Sequence, residues 1–233
     1  MKKEERIKPA SAKDSGFIFK LAGISGISYL VFIVLGVFIS QYLQAYQSVV
    51  VIWSVIQGIM ITLFSAVFIY GLYALGKKYG NKFLRVVCIS LIFVIIFSYL
   101  INISVFSTEL INAITQAQKV VAENAMNLGL DISNINALSE DQAQLLISQV
   151  LPQVLPLFKN ILIMLAIYIL VMFTLSILLG IGLIKLKDKV KYAKTAGILE
   201  IVGAVLAIVL IGFLVMFVAF IFEIVLLLKE ARK

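Results

Sequence analysis

Residues 196–233 read AGILEIVGAVLAIVLIGFLVMFVAFIFEIVLLLKEARK. Two glutamates, Glu200 and Glu223, stand in this stretch with nothing charged between them. Its apolar part, Ile198 to Leu228, is too long for an ordinary core helix and suits a lipid interior. As one straight helix of about 31 residues it would measure about 46 Å, against a hydrocarbon layer of about 30 Å. It would also strand Lys229, Arg232 and Lys233 on the far side from the other lysine clusters. A tight hairpin turning in LIGF, near Gly212, gives two limbs of about 15–17 residues instead, short of the length that crosses without strain. Both glutamates then fall near one interface, with Glu200 in reach of Lys194 and Glu223 in reach of Lys229. That placement avoids most of the about 2.5–3.5 kcal/mol that insertion scales assign to a charge at the bilayer centre. A single helix over 201–222 would put one glutamate at each interface, and LIGF lacks polar turn residues. The hairpin is preferred, which gives six spans rather than five.

The rest of the chain agrees with lipid as its solvent. Of 233 residues, 62% are hydrophobic and 14% charged, where soluble domains have about 45–50% apolar and about 25% charged residues. No charge occurs between Lys20 and Lys77, and that interval holds two spans, 17–43 and 50–75. The connector SQYLQAYQS (40–48) is polar but uncharged, and Trp53 follows it where an interfacial aromatic belongs. A third span covers 86–106 and a fourth 160–184. The apolar run from Phe17 to Leu43 is longer than the core of a secretory signal and reads as an uncleaved first helix.

Charge orients these spans. Lys2, Lys3, Arg6, Lys8 and Lys13 crowd the N-terminal tail, and the loops GKKYGNKFLR (76–85) and KLKDKVKYAK (185–194) are short and basic. Between Thr108 and Phe158 a lone Lys119 stands against Glu109, Glu123, Asp131, Glu140 and Asp141. The positive-inside rule puts the N-terminus and both basic loops in the cytoplasm, in the cell membrane, and the acidic segment outside. The expected organisation is an all-α, polytopic transmembrane helical bundle: a basic tail at 1–16, spans one to three within 17–107, an extracytoplasmic helical hairpin at 108–158, the remaining two or three spans within 159–228, and a basic tail at 229–233.

The outer segment carries its own signals. TELINAITQAQKVVAENAMNL (108–128) spaces Leu110, Ile114, Ala117, Val121, Ala125 and Leu128 as one face of an amphipathic helix. GLDISNINAL (129–138) is a turn-rich break, and Asp131 within it reads as a loop acid. SEDQAQLLISQVLPQVLPLF (139–158) opens with a capping box, Ser139 with Gln142, and acids in the first turn. Pro152 and Pro156 should kink or break its far end. Two antiparallel outer helices are expected, either as a self-packed cap or as a docking surface for a second copy or another membrane protein through residues 109–158.

The functions excluded are clearer than the one implied. The chain has no histidine and one cysteine, Cys88, so histidine-dependent catalysis, zinc sites of the usual kind and an intrachain disulfide are ruled out. No paired membrane aspartates and no phosphate-binding glycine loop occur. The basic residues flank apolar runs instead of forming a basic face with aromatics, so no nucleic-acid partner is expected. No catalytic, cofactor or metal residues are assigned. Gln57, Thr62, Ser90, Ser98, Thr174 and Ser176 and the tyrosines 29, 70, 99 and 168 fit interhelical hydrogen bonds, and Ala22, Gly26, Ser54 and Gly58 fit close helix packing. Lys20 reads as a snorkelling lysine. With Glu200 and Glu223 it completes the set of candidate functional or interfacial charges.

YGLYALGKKYGNKFLRVVCISLI (70–92) echoes IGLIKLKDKVKYAKTAGILEIV (181–202), a Gly-Leu pair, a basic loop with an aromatic and an apolar run, as any helix–basic loop–helix unit does; a true duplication would make it a parallel repeat. This pattern and GILEIVGAVLAIVLIGFLVMF (197–217) resemble small multi-pass membrane proteins of unknown function, mostly archaeal. That resemblance implies a membrane fold and transfers no functional residue. The expected role is a non-enzymatic accessory or assembly component acting through the outer helices, because the spans show no mid-membrane charge. The alternative is a small permease or channel with Glu200 and Glu223 as ion- or proton-linked groups.

Overall fold

A computed structural model of the chain describes residues 12–42, 47–101, 107–130, 139–207 and 211–233. Residues 1–11 of the basic N-terminal tail, Asp131 and most of the 129–138 break lie outside the described residues, while 12–16, expected as tail, form the start of α1. Eight α-helices follow in order: α1 Ala12–Tyr42, α2 Gln47–Lys78, α3 Lys82–Ile101, α4 Ser107–Asn127, α5 Glu140–Val154, α6 Lys159–Ile184, α7 Ala193–Leu206 and α8 Ile211–Glu230. Among the described residues there is no strand. Among the described residues five helical stretches are long and apolar enough to cross a membrane: Ser15–Ile39, Ile52–Lys78, Lys82–Ile101, the run Glu140–Ile184 that contains α5 and α6, and Ile211–Glu230. The 14 residues of α7 rise about 21 Å and fall short of that length.

The chain divides into two compact units, Met1–Tyr99 with Met172–Lys233, and Leu100–Val171. In the first, glycines set how helices meet. A Cβ on Gly71 would strike Ala22, and one on Gly26 would strike Phe68, so α1 and α2 pack closely as an antiparallel pair. Gln57 adds a hydrogen bond from Nε2 to the Phe32 carbonyl at 3.5 Å. Gly23 and Gly26 also receive Leu228 and Ile224 of α8, which brings α8 onto the same two helices, and Phe220 closes the contact against Tyr29 and Phe68.

The quoted stretch is bent back on itself. Tyr192 and Lys229 meet at one end of the α7–α8 pair, where Lys229 Nζ donates to the Tyr192 hydroxyl at 2.9 Å. Gly203 and Gly212 meet at the other, where a Cβ on Gly212 would overlap the Ala207 backbone. The helices are therefore antiparallel. α7 ends at Leu206 and α8 begins at Ile211, with 208–210 outside the described residues. Gly212 sits in the first turn of α8, where the lack of a side chain lets the end of α7 come into backbone contact.

One end of this unit gathers the basic loops. Lys189 donates to the Tyr79 carbonyl at 3.3 Å. Asn81 donates to the Gly182 carbonyl at 2.9 Å and accepts from the Leu84 amide at 3.0 Å, capping α3. The turn before it is a glycine cap: Gly80 has φ +71°, with Gly80 N bonded to the Lys77 carbonyl and Asn81 N to the Gly76 carbonyl. Glu230 closes the end. It is buried, accepts from Tyr79 Oη at 2.7 Å and Lys78 Nζ at 3.2 Å, and pairs with Lys233. Gly16 of α1 approaches the Ala231 carbonyl there as well. The buried core lies toward this end, with Phe19, Leu75, Leu84, Leu183, Leu186, Leu226 and Leu227 fully enclosed. Farther along the helices, apolar side chains such as Val37, Phe38, Phe93, Phe97, Leu214 and Phe217 face outward, as a lipid-facing surface would.

The second unit holds α4 and α5, the two helices expected outside the membrane, with the first part of α6. Gly129, at φ +66°, ends α4 with its amide on the Met126 carbonyl and Leu130 N on the Ala125 carbonyl. The Ser139 capping box opens α5 with both reciprocal bonds, Gln142 N to Ser139 Oγ and Ser139 N to Gln142 Oε1. Pro152 lies inside α5 and Pro156 in a 3₁₀ turn, Leu155–Phe158, that leads into α6. Gln153 ties α5 to Asn124 of α4 at 3.4 Å.

Candidate functional site

The two glutamates lie inside the first unit. Glu200 is 6% exposed and Glu223 1%. Counting from the Tyr192–Lys229 contact, Glu200 is eight residues in along α7 and Glu223 six along α8. At 1.5 Å per residue both are on the order of 10 Å below the basic end.

Sequence periodicity explains why they point inward. The buried positions of α7 are Ala193, Ala196, Gly197, Glu200, Gly203 and Ala204. They form a stripe of small residues at helical spacing with one acid in it, and small residues are what bring helix backbones together. Gly180 on α6 fits the stripe so closely that a Cβ there would meet the Gly197 carbonyl at 2.5 Å and the Glu200 Cβ at 3.2 Å. Glu200 is thus pinned beside α6, where Ser176 Oγ donates to its Oε2. On α8 the buried positions Gly212, Ala219, Glu223, Ile224, Leu226, Leu227 and Glu230 form the matching stripe.

Glu223 has a different environment. It lies in electrostatic reach of Glu200 and of Cys88 on α3. Its Oε1 is fully enclosed and has no hydrogen-bond partner among the described residues. A buried carboxylate oxygen left without a donor is costly, and an ionisable side chain inside a membrane segment marks a functional site by default.

The pairings expected from sequence are not the ones formed. Glu200 bonds to Ser176 and not to Lys194, and Lys229 is engaged by Tyr192, over whose ring its Nζ sits at 4.4 Å. Lys20 is exposed and remains at the protein's edge. Ser176, read from sequence as one of several packing hydroxyls, proves to be the donor to Glu200. Gln57 and Tyr99 keep interhelical roles, Tyr99 Oη donating to the Val55 carbonyl at 3.3 Å. Sequence reasoning missed Glu230 altogether, because it sits among Lys229, Arg232 and Lys233 and reads as part of a charged tail.

Outside the helical unit the chemistry is thin. Hollows in the second unit are lined by Glu109, Asn160, Ile161, Ile163 and Met164, and by Ile114, Ala117, Gln118, Val121 and Phe158. Glu109 is the one ionisable group in those linings. Among the described residues no three histidine, cysteine, aspartate or glutamate side chains come together as a metal would require. No protein-family model, curated protein or solved structure matches this chain.

Proposed function

We infer that this chain is a small proton-linked membrane carrier, non-enzymatic, whose working groups are Glu200 and Glu223. The observation that supports the reading most is the enclosure in the first unit of two carboxyls within electrostatic reach of each other, one of them with an oxygen that no donor reaches among the described residues. Two acids enclosed among the helices favour this reading over that of an accessory component acting through α4 and α5 alone. Apolar packing would serve stability at this level better than two acids, since well-packed hydrophobic side chains replace buried charges at little or no loss. In this reading the chain threads the cell membrane six times, with α7 a short limb that returns through α8. Both termini and the basic loops are cytoplasmic and α4 and α5 lie outside. Lysine distribution supports the sidedness.

Reconstitution into sealed liposomes carrying a pH-sensitive dye tests the function. An imposed pH gradient should dissipate faster with the wild-type chain than in empty vesicles. Glu200→Gln and Glu223→Gln should each slow that dissipation by at least about tenfold, equivalent to about 1.4 kcal/mol on the barrier. Fluxes equal to wild type in both variants would defeat the proposal.

A docking role for the outer helices is a second reading. It is favoured by the exposure of Leu145, Ile147 and Leu151 along α5 and of Leu155 in the turn that follows, two elements with no buried residue. Replacing these four with serine should abolish association with a second copy or another membrane protein. Unchanged association would remove this reading.

A further inference from the structure

We propose that the buried pair holds one proton in an asymmetric arrangement, with Glu223 as the carboxylic acid and Glu200 as the carboxylate that faces it. This deepens the carrier reading and rests on it for its physiological meaning, though the protonation pattern can be measured without transport.

Three observations separate the two groups. First, Ser176 Oγ donates to Oε2 of Glu200. A hydroxyl donor stabilises the ionised form of a carboxyl, so Glu200 has local support for a negative charge. Second, Glu223 has no such support. Its Oε1 is enclosed without a donor, and the charged group acting on it is the like-charged Glu200. Third, among the described residues the remaining helices bring no cation to the pair. α3 contributes Cys88, α6 contributes Ser176, α1 presents Tyr29 to Phe220 one turn away from Glu223, and α2 presents Phe68 to the same ring. Two enclosed carboxylates without a cation repel, and such pairs resolve the conflict by sharing a proton.

The donor set favours a proton over a metal cation. Hard cations of the calcium type take about six to eight oxygens. Here Glu200 and Glu223 supply two carboxyls, no third acid, histidine or cysteine joins them in a metal-holding group among the described residues, and the Ser176 hydroxyl is committed to Glu200. A proton needs one donor oxygen and one acceptor. Glu223 supplies the O–H, and Glu200 retains an oxygen that Ser176 does not use. When the proton leaves Glu223, the pair carries two negative charges. When a second arrives on Glu200, it is neutral. Net charge therefore changes by one at each step, with no other bond made or broken.

Infrared difference spectroscopy on the detergent-solubilised full chain tests this. At neutral pH the wild type should show one carbonyl-stretch band of a protonated, enclosed carboxylic acid, shifted on exchange into heavy water. Glu223→Gln should remove that band. Glu200→Gln should keep it at an altered position, and Ser176→Ala should move it or broaden it as the proton redistributes. No such band in wild type, or a band lost in Glu200→Gln and kept in Glu223→Gln, would overturn the assignment. Loss of the band on adding sodium, potassium or calcium chloride would overturn it in favour of a cation. A band as described together with no liposome flux would leave the proton site standing and remove the carrier function. Glutamate-dependent flux without the band would do the reverse.

Discussion

Ser176 on α6 donates its hydroxyl to Glu200 on α7, at the level where the backbones of those two helices come together through Gly180 and Gly197. The glycines bring the helices close enough for a short serine side chain to reach, and the hydroxyl gives an enclosed carboxylate a donor. Ser176→Ala takes the donor away and leaves Glu200 in place. A hydrogen bond to a charged group contributes about 1.5–3 kcal/mol, so the variant should lose that much stability in detergent denaturation at neutral pH. Ser176→Ala added to Glu200→Gln should cost clearly less than the sum of the two single changes, because both remove one interaction. Strict additivity would show that the hydroxyl and the carboxyl do not act together.

The α6–α7 contact leaves no room for a methyl group. A Cβ on Gly197 would press into the Gly180 carbonyl and lie 3.0 Å from the Ile184 amide, both backbone atoms that cannot rotate away. Gly197→Ala should cost about 1–3 kcal/mol by overpacking and should weaken the Ser176 bond by separating the helices. Gly80→Ala is the informative comparison. Nothing lies within 4 Å of a Cβ there, but the residue is at φ +71°, so the expected cost is about 1–2 kcal/mol from the left-handed backbone alone. Thermal unfolding of the two variants, with liposome flux as a second readout, should show flux falling in Gly197→Ala and unchanged in Gly80→Ala.

Glu230 holds the end of α8 to the end of α2 through Tyr79 and Lys78. The lysine is partly exposed, so Glu230→Gln should cost about 2–3 kcal/mol, below the value for a wholly buried pair. Tyr79 gives a spectroscopic reading of the same contact. Burial, and then the bond to Glu230, push its phenol up from 10 to about 12. The folded state keeps a proton that the unfolded chain releases, so this contribution is present below pH 10 and is lost as pH rises toward 12. Phenolate absorbance should show Tyr79 ionising late, identified as the step missing in Tyr79→Phe. Tyr192 should ionise early, because Lys229 donates to its hydroxyl. In Glu230→Gln the Tyr79 step should move part of the way toward 10, since the burial contribution remains. An unmoved step would mean that Glu230 does not engage the phenol.

Much of the helical layout was legible in the sequence. Lysines 77, 78, 185, 187 and 189 mark helix ends because a charged head must leave lipid, and they place α2, α3 and α6 within a few residues. The Ser139–Gln142 box was equally readable, since capping is local chemistry. The glutamate pair was harder to read. A carboxylate in an apolar run looks anchored at an interface when a lysine stands six residues away, as Lys194 and Lys229 do. Which of these partners forms depends on which face of α7 is covered. The signal existed: Glu200 is in phase with Ala193, Ala196, Gly197, Gly203 and Ala204, and Glu223 with Gly212 and Ala219. Small residues in phase with an acid place the acid inward, where a lysine cannot follow. Glu230 gave no such signal, because its partners Lys78 and Tyr79 lie about 150 residues away in sequence, and only the packing of α8 beside α2 brings them together.

The return of α8 toward the start of α7 is what brings Glu200 and Glu223 together, and the sidedness of the two ends measures it. In a Cys88→Ala background, Lys194→Cys and Arg232→Cys would be labelled one at a time with a membrane-impermeant maleimide in sealed, uniformly oriented vesicles. The expected result is that both react from the same side, the side on which Lys77→Cys reacts. Labelling of Lys194→Cys and Arg232→Cys from opposite sides would mean that residues 198–228 cross once, and the glutamate pair could not exist as described.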